Sequence, residues 1–223
     1  MPRKPRTTPG DYIYHTLNRA TARLTLFRKA DDYDAFERVL QQAHERQPTR
    51  ILAYCLMPTH WHFVLWPTAE GEITAFLRWL THTHTMRWHA HYHSQGSGHL
   101  YQGRFKSFPV AADEHLLTLL RYVEGNPRRA GKVKRAKDWR WSSLSHRLAG
   151  DALSAKVLHP WPLPEPENWL EWVEQPQTEA ELKALRRSVC RGTLFVVPAW
   201  QVQVRKELGL EATLRARGRS KKK

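Results

Sequence analysis

Three groups of residues in this chain combine types and spacings that can do chemistry together. His60-Trp61-His62 lies in a run that reads as a β-strand. Alternation puts the two imidazoles on one face, about 7 Å apart, with Trp61, Phe63 and Leu65 on the other. Such a pair can chelate a divalent ion, although the same spacing also describes two surface histidines on a half-exposed strand. Tyr122 and Asn126 are four apart on a helix, so they share a face one turn apart. The Asn126 amide oxygen is a candidate third ligand beside the Tyr122 phenol; the plainer reading is a core-edge tyrosine and a helix C-cap before Pro127. Gln102, Arg104 and Lys106 alternate with Tyr101 and Phe105. They would lay polar and basic groups on the histidine face as a floor for phosphate, or line a solvated edge.

Together these residues suit phosphodiester chemistry. A tyrosine phenol, with a reference pKa of about 10, is a poor nucleophile at neutral pH and needs help. A divalent cation on the scissile phosphate withdraws charge and fixes the line of attack. The product, a phosphotyrosine ester, keeps the bond energy, so strands can be rejoined without ATP. Imidazole and amide donors fit Mg²⁺, Mn²⁺, Zn²⁺ or Co²⁺ alike; Mg²⁺ or Mn²⁺ is taken as the working cofactor.

These groups need elements to hold them. Tyr12 to Asn18 reads as a strand, and Asp31 as the N-cap of a helix carrying Tyr33, Phe36, Val39, Leu40 and Ala43. Ile51–Met57 and His60–Trp66 form a hairpin across Pro58-Thr59. Ile73, Phe76, Leu77, Leu80 and Trp88 mark a second helix, and Gln95–Gly98 a loop. Leu100–Val110 reads as a last strand, bent at Gly103. Asp113 caps a third helix with Leu116, Leu117, Leu120 and Val123 on its apolar arc, ending near Gly125. This order predicts an α+β fold, with a ferredoxin-like or RRM-like antiparallel sheet and helices on one face. Residues 10–150 would form the main domain and 151–166, with four prolines in Pro160–Pro166, a linker. Residues 167–223 would be a mostly helical extension, opened by a Thr178–Glu181 capping box and ending in a basic arm.

Composition narrows the partners. The chain has 223 residues, with 36 Lys and Arg against 21 Asp and Glu, a formal charge of +15. Such a surface draws polyanions, and its 24 aromatic residues (ten Trp, seven Tyr, seven Phe) include platforms on which bases could stack. No run approaches a membrane span, and MPRKPRTTPG lacks an apolar signal segment. Two cysteines, Cys55 and Cys190, cannot build a disulfide framework. The expected setting is the reducing cytoplasm of the producing cell.

Four segments carry a resemblance: Tyr14–Arg19, Ala53–His62, Tyr101–Lys106 and Arg121–Ala130. They resemble the REP-associated tyrosine transposases, single-tyrosine HUH transposases related to the insertion sequence 200 type. The likeness covers about residues 10–150. It implies a ferredoxin-like fold that cuts single-stranded DNA beside palindromic repeat hairpins. By position, His60, His62 and Asn126 would hold the metal and Tyr122 would be the nucleophile, leaving a 5′-phosphotyrosine and a free 3′-hydroxyl. Asn18, Arg19, Gln102, Arg104, Lys106, Arg128, Arg129, Arg215, Arg217 and Arg219 would contact DNA. The chain could work as a monomer or a homodimer, with the tyrosine used in cis or lent to a partner. Two departures stand out: Thr59 replaces the usual Asn, and Thr-Leu-Phe-Val follows Arg191-Gly192 in place of Arg-Pro-Phe-Gly.

Three competing readings remain. A retired transposase would bind repeat hairpins without cutting them. An RNA-binding sheet would want exposed aromatics on its central strands, where Trp61 and Phe63 turn away from the histidine face. His89 and His93 on the crowded histidine helix (His82, His84, His89, His91, His93) could bind zinc, though without a His-Glu-x-x-His pattern.

Overall fold

The computed structural model describes residues 8–191. Four strands, β1 (Ile13–Arg19), β2 (Arg50–Met57), β3 (His60–Trp66) and β4 (Lys106–Val110), form an antiparallel sheet in the order β2-β3-β1-β4. Helices α1 (Ala30–Arg46) and α2 (Glu72–His91) connect β1 to β2 and β3 to β4. This β-α-β-β-α-β order with β1 and β3 central is the ferredoxin-like arrangement.

The covered face is the apolar half of the alternation. Tyr54 pairs with Phe63 and Leu56 with Trp61, and all four side chains are fully buried. Phe36 of α1 packs on Phe63, and the Tyr54 hydroxyl donates to Glu37 at 2.9 Å. Burying each such side chain is worth roughly 1.5–3 kcal/mol. Helix α1 starts at Ala30, and the capping carboxylate is Asp32 rather than Asp31: it accepts from the Arg28 and Lys29 amides at 2.7 and 3.1 Å. Asp113 caps α3 (Glu114–Glu124) as expected, accepting from the His115 amide. The turn between β2 and β3 is tied down, because the Pro58 carbonyl accepts from Leu26 and the Thr59 carbonyl from Ala20.

Two expectations change. The strand read over Leu100–Val110 is short, beginning at Lys106. Before it the chain bends at Gly103, whose φ is +149°, and crosses the end of β1 through a bridge between Ala20 and Tyr101. Gln102, Arg104 and Lys106 therefore do not alternate along one strand. Residues 151–166 are also not a free linker. They contain α6 (Ala152–Val157), then run along the outer edge of β2. The His159 amide donates to Ile51 O, and the Trp161 indole to Leu52 O. With Trp139 donating to Leu56 O and the Ser143 hydroxyl accepting from Tyr54 N, the segment 139–161 satisfies backbone groups that an open sheet edge would expose.

The opposite sheet face is where α3 comes down, followed by the short α4 (Asn126–Arg129). Beyond α5 (Ser143–Ala149), helix α7 (Trp169–Glu174) packs behind α3 and helix α8 (Glu179–Arg191) against β4. The predicted box at Thr178 and Glu181 is present, with Glu181 N donating to Thr178 Oγ1 and Thr178 N to Glu181. Among the described residues no helix is long and apolar enough to cross a membrane.

Candidate active site

Residues opposite each other in an antiparallel pair share a face. Leu17 faces His62 and Arg19 faces His60 across β1 and β3, so His15, Leu17 and Arg19 lie on the histidine face. His60 and His62 meet edge to face, their ring centres 5.1 Å apart. Each imidazole is held through Nδ1. His60 Nδ1 is 3.2 Å from Thr59 Oγ1, and His62 Nδ1 is 2.8 Å from His15 Nε2. These contacts use Nδ1 of each ring, and Nε2 is the nitrogen a ligand could take.

Tyr122 closes the site from above. Its ring stands edge-on to His62 at 5.9 Å and to His15 at 6.3 Å between centres. The Arg129 guanidinium lies over the Tyr122 ring, 4.1 Å from its centre, and donates to the Tyr122 carbonyl at 3.0 Å. Asn126 is buried, and its amide nitrogen has no hydrogen-bond partner.

Burial sets the charge state of the imidazoles. It pushes His60 down to about 4, helped by Arg19 and Arg129, and His15 down to about 3. His62 is also driven well below the ordinary value, first by burial and then by its charged neighbours. Neutral rings are what a cation requires of its ligands. Among the described residues no three His, Cys, Asp or Glu side chains converge as a metal site. His15 is spent on His62, so a divalent ion here would rest on two imidazoles plus a neutral third donor. The Asn126 amide oxygen is a neutral donor of the type that part needs, so the donor set fits by chemistry.

The helix that carries Tyr122 is clamped from behind. Arg121, 5% exposed, donates to the carbonyls of Trp172, Gln175 and Pro176 at 2.8–3.0 Å. Glu124 accepts from the Trp169 indole and the Ser143 hydroxyl, at 2.8 and 2.6 Å. A Cβ at Gly125 would lie 2.9 Å from Arg121 O and 3.4 Å from Val173 O, so only glycine lets α7 approach this closely.

The remaining sequence-predicted residues scatter. Asn18 is buried and uses its amide internally, donating to Gly103 O and accepting from Arg19 N, which makes it a strap rather than a DNA contact. Arg128 pairs with Glu174 at 3.3 Å, and Arg129 is committed to Tyr122 and Gln177. Arg19, Gln102, Arg104 and Lys106 are exposed near the histidine end of β1 and β3. Arg215, Arg217 and Arg219 lie outside the described residues. His15 was missed by sequence reasoning. It sits in the first strand with the right parity, but its face is settled only once β1 is known to pair with β3.

The histidine helix does not form a second centre. His84 is buried and bonded to the Tyr101 hydroxyl at 2.8 Å, and His89 is bonded to Ser94. His82, His91 and His93 are exposed.

Residues 10–126, more than half the chain, match the family described as "Transposase IS200 like". The chain belongs to this transposase family. A transposase-type DNA-binding function follows from membership. A solved structure described as a REP-associated tyrosine transposase bound to a REP hairpin shares the fold, with a TM-score of 0.54 and 20% identity. The match covers 74% of this chain and 92% of that one. A putative transposase from Deinococcus radiodurans is more distant, with a TM-score of 0.39 and 18% identity over 55% of this chain and 95% of that one. No curated protein sequence matches.

Proposed function

We propose that this transposase cuts and rejoins single-stranded DNA bearing repeat hairpins, using Tyr122 as the nucleophile and a divalent cation, Mg²⁺ or Mn²⁺, at His60, His62 and Asn126. The observation that carries the reading is the edge-on seating of the Tyr122 ring against His15 and His62 of its own chain. It favours a tyrosine acting in cis.

The Tyr122 oxygen attacks the scissile phosphorus and gives up its proton. The phosphorus–O3′ bond breaks, and the leaving oxygen takes a proton to become a 3′-hydroxyl. The DNA 5′-phosphate stays esterified to Tyr122, and attack by another 3′-hydroxyl reverses the step. The bound cation would withdraw charge from the phosphate. Thr59 and His15 hold the two imidazoles that would carry it. Arg129 braces the Tyr122 ring, and its positive charge favours charge developing on the phenol oxygen. Arg19, Arg104 and Lys106 supply positive charge at the rim for the DNA backbone. The hairpin as substrate is supported by the sequence resemblance and by the REP hairpin to which the solved relative is bound.

The test is a denaturing gel with Mn²⁺ and labelled single strands carrying a palindromic repeat from the DNA flanking the chain's own coding sequence. A shifted band that survives denaturant and vanishes in Tyr122→Phe supports the proposal. A shift seen only under native conditions supports the alternative, a hairpin-binding protein that does not cut.

A further inference from the structure

Metal-binding histidines are usually oriented through the ring nitrogen that does not touch the metal, and the partner fixes which nitrogen carries the proton. The partner is ordinarily a carboxylate, a carbonyl or water. Here it is a third histidine from a neighbouring strand. His15 Nε2 lies 2.8 Å from His62 Nδ1, and the two rings stack at 17° with centres 5.1 Å apart.

His15 is itself held on several sides. It is 2% exposed, packed edge-on by Phe108 of β4 at 5.7 Å and by Tyr122 of α3 at 6.3 Å. A cation on His62 Nε2 needs the lone pair there, and hence a proton on Nδ1. An acceptor at 2.8 Å from Nδ1 holds that tautomer; a donor there would hold the opposite one and switch the ligand off.

We propose that His15 is a positioning residue: as the hydrogen-bond acceptor for His62 Nδ1–H it fixes the metal-competent tautomer and rotamer of His62. Through its edge contact it also sets the depth at which the Tyr122 ring rests over that ligand. The proposal rests on the metal site proposed above. Removing such an outer partner commonly costs about 10–100-fold in metal affinity.

The experiment uses the full chain without DNA and Mn²⁺ as the probe, with free Mn²⁺ counted by electron paramagnetic resonance. His15→Phe, which keeps the ring but removes the acceptor, should weaken Mn²⁺ binding about 10–100-fold. His15→Gln, whose amide oxygen can accept from Nδ1, should recover most of the loss. Nitrogen-15 histidine spectra of the metal-free chain should show His62 protonated at Nδ1, a signature lost in His15→Phe. This readout stands even if that variant folds poorly, since the wild-type spectrum alone decides the tautomer. Unchanged affinity in His15→Phe, equal weakness in Phe and Gln variants, or a wild-type His62 protonated at Nε2 would each overturn the proposal. His62→Ala is the control: if it binds Mn²⁺ as tightly as the wild type, the metal site itself is misplaced and the proposal falls with it.

Discussion

Two histidine-rich regions of this chain differ in what the fold has left for their rings to do. On α2, His84 is spent on the Tyr101 hydroxyl and wedged between Phe27 and Phe36, while His89 is turned to Ser94. His93, read from the sequence as four residues after His89 on one helix, lies beyond the end of α2 at His91 with φ at +48°, so the two do not form a helical pair. On the sheet, His60 and His62 are each gripped at one nitrogen by a neighbour and keep the other. His60 and His62 lie together on one sheet face beneath the Tyr122 ring, whereas His84 is shut into the core between Phe27 and Phe36. Density of histidine in the sequence points to α2, whereas the metal site proposed above lies on the sheet.

The largest expected effects lie on the sheet. His62→Ala should lower covalent adduct formation at least ~10²-fold, as loss of the charge stabilisation that a cation supplies would. Its stability should fall as well, because His62 is buried and bonded to His15, so adduct is compared well below the variant's melting temperature; an active His62→Ala would erase the contrast between the two regions. Mixing Tyr122→Phe with His62→Ala should also give no adduct. In the proposed cis arrangement, with Arg121, Glu124 and Gly125 holding the tyrosine helix to its own chain, neither variant of the mixture has both the phenol and the ligand pair. Recovery of activity in the mixture would show a tyrosine lent in trans.

His84→Ala should invert the pattern, costing about 2–4 kcal/mol of stability in denaturant melts from a lost ring and an unpaired Tyr101 hydroxyl. Adduct formation well below its melting temperature should be unchanged. His146 adds a third environment, titratable rather than coordinating. Burial alone would lower its pKa, but hydrogen bonds to Glu37 and Asp151 outweigh that and raise it above the ordinary value. Its stabilisation is then complete below the unfolded value near ~6.5 and lost as pH rises through the raised folded value. Thermal melts should fall on going from about pH 6 to about pH 9 more steeply in the wild type than in His146→Gln; equal slopes would remove His146 from the account. Smallest of all, His89→Ala and His93→Ala should shift stability by no more than ~0.5 kcal/mol and leave Mn²⁺ binding intact.

Much of this was readable from the chain. Alternation in His60–Trp66 and the two-residue turn before it fixed which side Trp61 buries and which side the histidines take, because a period of two admits no other answer once one face is apolar. The spacing of Tyr122 and Asn126 read as one helix face, but α3 ends at Glu124 and Asn126 opens the short α4 after Gly125. The alternation of Leu100–Val110 misled, since Gly103 bends the chain and a periodic pattern carries no record of a φ of +149°. The prolines of 160–166 read as a linker, whereas the Trp139, Trp141 and Trp161 indoles and carbonyls that seal β2 are long-range partners no local pattern reveals. The charge of Arg129 is legible locally, but its packing over the Tyr122 ring is not.

The central claim is that the Tyr122 oxygen becomes covalently bonded to DNA in the site built by its own His60 and His62. Mass spectrometry of proteolysed adduct, formed with Mn²⁺ on a hairpin-bearing single strand, tests it most directly. The account predicts a nucleotide phosphate on the peptide containing Tyr122, linked through the 5′ side of the cut. A phosphate on any other residue, or a cut strand with no protein-linked nucleotide, would contradict it.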